Sequence, residues 1–194
     1  METDMFKSMI LLLLASGTLP TVAGEYHQHG IHAHGVGSLN MAREGAEIHI
    51  ELDSPAANLV GFEHTPRTRT EHELLKTALN RLKDGARLFL FPGNADCQFM
   101  GSEVDTPLMN HGSGRHHTHQ EHHSHQDSHE HAADSHADIT ATYRFTCSHP
   151  ERLDRVTVKL FEAFPMTERL RVQFITEQRQ GAAELNASQP VLYF

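Results

Sequence analysis

Histidine is the residue type with most chemistry to offer in this chain: there are 18 among 194 residues, against 2 Cys. Neutral imidazole binds Zn, Cu, Ni and Co, so histidines at short spacing point to capture of a divalent metal. One cluster is His27, His29, His32 and His34. In an extended segment its i, i+2 pairs point the same way, so His27 with His29 and His32 with His34 each form a two-point grip that the folded body would complete. The other cluster is a tract holding His111, His116, His117, His119, His122, His123, His125, His129, His131 and His136. A loose chain with that many imidazoles assembles several interchangeable tetrahedral sets, each at a cost in ordering entropy, which predicts several zinc ions held with modest affinity. Glu121, Asp127, Glu130 and Asp134 outnumber Arg115 there, and this lowers the electrostatic cost of crowding cations together.

Four histidines stand outside the clusters. His64 follows Gly61-Phe62-Glu63 just before Pro66, in a loop where it could meet the N-terminal cluster and complete an ordered site. His49 sits on the polar parity of a strand, His72 flanks the apolar stripe of a helix, and His149 precedes Pro150; these read as surface or loop residues. Enzyme signatures are missing: there is no Gly-x-Ser-x-Gly, no P-loop, no Gly-x-Gly-x-x-Gly and no His-Glu-x-x-His. His64 with Glu63, or His122-His123 with Glu121, makes a poor catalytic zinc centre without rigid supports and a dry pocket, so no catalysis is expected. The net charge of −9 and the lack of clustered Lys and Arg exclude nucleic acid as a partner.

The elements that must position these residues begin after a leader. Lys7, the apolar run Met9–Ala15 and the small residues Thr21-Val22-Ala23 predict a secretory signal peptide over 1–23. The mature chain, 24–194, is then expected to be exported, with no membrane span after cleavage. It is read as a single α+β domain, a mainly antiparallel sheet with one or two helices, interrupted by a disordered His-rich insert over 111–136 that carries no large apolar residue.

Val36–Ala42 and Glu47–Asp53 alternate as strands around the turn Arg43–Ala46, a predicted hairpin. Thr70-Glu71-His72-Glu73 has capping-box form, with Leu74, Leu75, Ala78, Leu79 and Leu82 as the core stripe of a helix and Gly85 as its C-cap glycine. Cys97–Val104 and Ile139–Cys147 flank the insert as strands, the second alternating Ile, Ala, Tyr, Phe and Cys inward. Paired antiparallel in the register that sets Val104 opposite Thr140, they set Cys97 opposite Cys147, and a disulfide there suits an oxidising compartment; the alternative is two inert thiols. Val156–Phe161, Leu170–Thr176 and Ala183–Leu185 read as further short strands.

Several stretches together resemble the ZrgA-like periplasmic zinc-binding proteins, a bacterial family formerly of unknown function. They are His32–Gly35 leading into a strand, Ser54–His64, the His-rich insert, Tyr143–Cys147, and Leu160-Phe161-Glu162 before Phe164-Pro165. The resemblance implies a periplasmic protein of Gram-negative bacteria that binds zinc and serves high-affinity acquisition by an inner-membrane ABC-type permease complex. The alternative is a periplasmic buffer or resistance protein for Zn, Ni or Cu with no transporter partner. A zinc-dependent enzyme would instead require one tight, partly open three-ligand site on rigid elements.

Overall fold

The computed structural model describes residues 34–109 and 137–194. The expected signal peptide, His27, His29, His32 and the insert over 111–136 lie outside the described residues. Strands β1 (Val36–Glu44) and β2 (Glu47–Pro55) form the predicted hairpin, each reaching two residues further than its alternation suggested. Gly45 closes the turn at φ 57°, a left-handed conformation that glycine adopts without a Cβ clash. Leu39 and Met41 of β1 and Ile48, Ile50 and Leu52 of β2 are buried, and the residues between them face outward.

Four more strands complete the larger sheet: β4 (Cys97–Asp105), β5 (Asp138–Cys147), β7 (Arg169–Ile175) and β8 (Gln180–Asn186). Its order is β4-β5-β2-β1-β7-β8, antiparallel throughout except that β1 and β7 run parallel. A smaller antiparallel sheet orders β3 (Phe89–Leu90), β6 (Arg155–Val158) and β9 (Val191–Tyr193) as β3-β6-β9. Both sheets share one apolar core with the helices α1 (Ala56–Val60), α2 (Arg69–Lys83), α3 (Gly85–Leu88) and α4 (Leu160–Ala163). The α+β architecture with a mainly antiparallel sheet stands.

Ile139, Ala141, Tyr143, Phe145 and Cys147 are all buried on one face of β5, and Cys97 pairs with Cys147 and is joined to it. Val104, however, lies opposite Ala141 and not Thr140. The expected register holds from Cys97 to Phe99, after which Met100 is an extra residue and Gly101, at φ 149°, resumes the ladder against Arg144. This one-residue bulge shifts the rest of β4 by one place.

Three further expectations are corrected. The N-cap of α2 is Thr68, not Thr70: its hydroxyl accepts the Glu71 amide at 3.2 Å while Glu71 accepts the Thr68 amide at 2.9 Å, the spacing a capping box needs. Starting there turns Leu75, Ala78, Leu79 and Leu82 into the core and leaves Leu74 outside at 49% exposure. Gly85 is not a C-cap, since the helix ends at Asp84 and Gly85 opens α3 in tight quarters, where a Cβ would come within 2.8 Å of Tyr143. The strand expected over Val156–Phe161 stops at Val158, because Leu160 and Phe161 bury their side chains from the single turn of α4.

Candidate metal site

Of the histidines singled out as ligands, His34 and His64 lie among the described residues, and both belong to the end of the fold where β1 begins and α1 hands over to α2. The geometry starts from Asn58, buried on α1. Its Oδ1 accepts the Gly35 amide at 2.7 Å, and its Nδ2 donates to the Val36 carbonyl at 3.1 Å and to Ser54 Oγ at 3.2 Å. The Gly35 carbonyl in turn accepts the amides of Glu168 at 2.8 Å and Arg169 at 2.9 Å. The backbone directly after His34 is thus pinned from two sides.

Past α1, Gly61 caps the helix at φ 86° and turns the chain into Phe62-Glu63-His64. His34 Nε2 stands 3.5 Å from Glu63 Oε1, with the imidazole 71% exposed and the carboxylate only 14% exposed. A charge-assisted N–H···O bond would be nearer 2.7–2.9 Å, whereas two donors on one tetrahedral zinc, each about 2.0–2.1 Å from the metal, stand roughly 3.3 Å apart. The two side chains are near enough for both to reach one zinc ion, and what sets the pair apart from His49–Glu47 and His149–Glu151, at the same 3.5 Å, is the low exposure of Glu63.

His64 is placed differently. Its ring stacks on Phe62 with centroids 5.2 Å apart, and its Nδ1 lies 2.9 Å from the Thr65 carbonyl. A carbonyl can only accept, so Nδ1 is the donor in this contact, which leaves Nε2 as the ring nitrogen that a metal could reach. That is the arrangement in which metal-binding imidazoles are commonly oriented, with the second nitrogen tied to a backbone carbonyl. His64 Nε2 faces Glu71 Oε1 at 3.9 Å. Glu71 is itself held: the Arg67 and Thr68 amides donate to Oε2 at 2.6 and 2.9 Å, and these bonds, with a smaller contribution from His64, keep its carboxyl below the usual carboxylate range against the opposing effect of burial.

His34–Glu63 and His64–Glu71 are two pairs on one loop system. Among the described residues no three or more His, Cys, Asp or Glu side chains gather as a complete metal cage. The other described histidines, His49, His72 and His149, occupy the surface places expected of them. His49 is exposed on β2, 3.5 Å from Glu47 and cross-strand from Arg144, whose charge opposes a bound cation. His72 is exposed on α2, and His149 stands before a turn, 3.5 Å from Glu151.

A family description, ZrgA family zinc uptake protein, matches residues 31–194. The chain belongs to the ZrgA family of zinc uptake proteins. No curated protein matched in a separate comparison. The matched span of this family member takes in His32, His34, Ser54–His64, both cysteines and the insert, while His27 and His29 lie upstream of it. No helix among the described residues is long and apolar enough to cross a membrane.

Sequence reasoning named His34 and His64 but did not assign Glu63, Glu71 or Asn58 any part in the site. Glu63 is adjacent to a candidate ligand, and that was the available signal. Glu71 was read only as a capping residue, although its two oxygens do two things: Oε2 closes the cap and Oε1 faces an imidazole.

Proposed function

We propose that this protein is an exported, periplasmic zinc carrier that captures Zn2+ for high-affinity acquisition, passes it to an ABC-type import system, and performs no catalysis. Zinc is its cargo. His34 and Glu63 are the anchored donors of an ordered site, with His64 and Glu71 following Glu63 in the chain, and His27, His29 and His32 are further candidate ligands of the N-terminal cluster. The histidines over 111–136 gather further ions. The observation that carries this reading is His34 set beside the largely buried Glu63 on backbone pinned by Asn58, within a zinc uptake family.

The insert belongs to a looser function by the same physics. Interchangeable imidazoles raise capacity more than affinity, so the insert also suits a buffer of excess Zn, Ni or Cu with no transporter partner. Two measurements separate the readings. Replacing 111–136 by a short linker should lower the number of zinc ions bound per chain, by calorimetry with element analysis, and leave the tightest site intact. Expression that rises on zinc starvation, with zinc uptake lost on deletion of the gene, supports acquisition; induction by excess metal and normal uptake in the deletion strain favour the buffer.

A further inference from the structure

We infer that Asn58 is a positioning residue for metal capture: it sets His34 against Glu63 without touching the metal itself. This rests on the reading of His34 and Glu63 as zinc donors. Asn58 is 1% exposed and uses both ends of its amide across the chain, taking the Gly35 N–H and giving to the Val36 carbonyl and Ser54 Oγ. Gly35 directly follows His34, so the first bond fixes the backbone one residue from the imidazole. The same residue lies three positions before Gly61, whose left-handed turn delivers Glu63. One buried side chain thereby ties together the two segments whose donors must meet, one at the start of β1 and the other beyond α1.

A purely structural asparagine is a weaker explanation of this geometry. β1 is already held along its length by β2 on one side and β7 on the other. What the Asn58 bonds add lies on the β2 side at the very start of the strand, where that ladder begins only at Ser38, while the β7 side is held back to Val36 and the Gly35 carbonyl. Their effect falls on the residues leading back to His34. Partners that orient a metal ligand from outside the coordination shell typically change affinity by about 10–100-fold when removed.

The test uses the full mature chain in four forms: wild type, Asn58→Ala, His34→Ala and the double variant. Zinc affinity is read by competition with a chromophoric chelator, and the contact between the His34 ring and Glu63 is read by proton NOEs in metal-free protein. Asn58→Ala is expected to abolish those NOEs, to weaken the tightest zinc site about tenfold, and to have less than a twofold further effect once His34 is alanine. Retained NOEs, unchanged affinity, or an undiminished effect in the His34→Ala background would overturn the proposal. If His34→Ala alone leaves zinc affinity unchanged, the donor role of His34 fails and the proposal with it, whereas failure of the Asn58 arms alone leaves that role standing. Should Asn58→Ala not fold, Ser54→Ala, which removes the hydroxyl that accepts from Asn58 Nδ2, answers the same question with a smaller expected loss.

Discussion

Cys97 lies directly opposite Cys147 at the end of the β4–β5 ladder away from the His-rich insert, and a disulfide joins them across a separation of 50 residues. Closing a loop of that length restricts the unfolded chain by about 4 kcal/mol in the chain-entropy treatment. The cross-link is remote from His34 and Glu63 along the fold, since it sits on β4 and β5 while they belong to the start of β1 and the loop after α1. Replacing both cysteines by alanine should therefore lower stability by up to about 4 kcal/mol in urea titrations and leave zinc affinity within about twofold. A double variant as stable as wild type would show that the bridge adds nothing.

Gly85 offers a test of the core behind the sheet. A Cβ at this position would meet the rings of Phe99, partly buried against the core, and Tyr143, buried within it. Gly85→Ala should destabilise the fold by roughly 1–3 kcal/mol, the usual cost of overpacking, even though alanine is the better helix former. Chemical denaturation measures this, and a stabilised variant would mean that the rings yield freely.

Acid should loosen the opposite end of the hairpin. The Glu177 carboxyl accepts its own amide, the Gly45 amide and the Arg43 guanidinium, and these hold its pKa down to about 2 from an ordinary 4.5. Because the folded pKa lies below the unfolded one, the contribution to stability is complete above about 4.5 and is lost as pH falls toward 2. The side chain is 40% exposed, so the effect is small. The stability difference between wild type and Glu177→Gln, followed by denaturation, should shrink across that window; a difference independent of pH would contradict the assignment.

Much of the fold was legible because alternation reports burial. The period-two runs of β1, β2 and β5 each bury the residues they promised, and the facing cysteines follow from two strands on either side of one insert. What alternation does not report is where pairing slips or which distant strand arrives. The slip at the exposed Met100 is signalled only by Gly101 beside it and by the parity change from Cys97 and Phe99 to Val104, and the parallel pairing of β1 with β7 joins residues more than a hundred positions apart.

The site was legible by half for a related reason. Residue type alone marked His34 and His64 as donors, but their carboxylate partners depend on backbone conformation: the left-handed Gly61 that aims Glu63, and a helix that starts at Thr68 and so points Glu71 back at His64. Asn58 reads in sequence as one polar residue in a short apolar stretch. Only its bonds to Gly35 and Val36, more than twenty residues away, reveal what it holds.

The most direct test of zinc capture at the start of β1 is a competitive zinc titration of the mature chain at neutral pH, comparing wild type with His34→Ala and Glu63→Gln. Wild type should take up zinc, and each substitution should weaken the tightest site by about tenfold or more while the circular dichroism of the fold is unchanged. No zinc uptake by wild type, or variants that bind as tightly as wild type, would contradict the account.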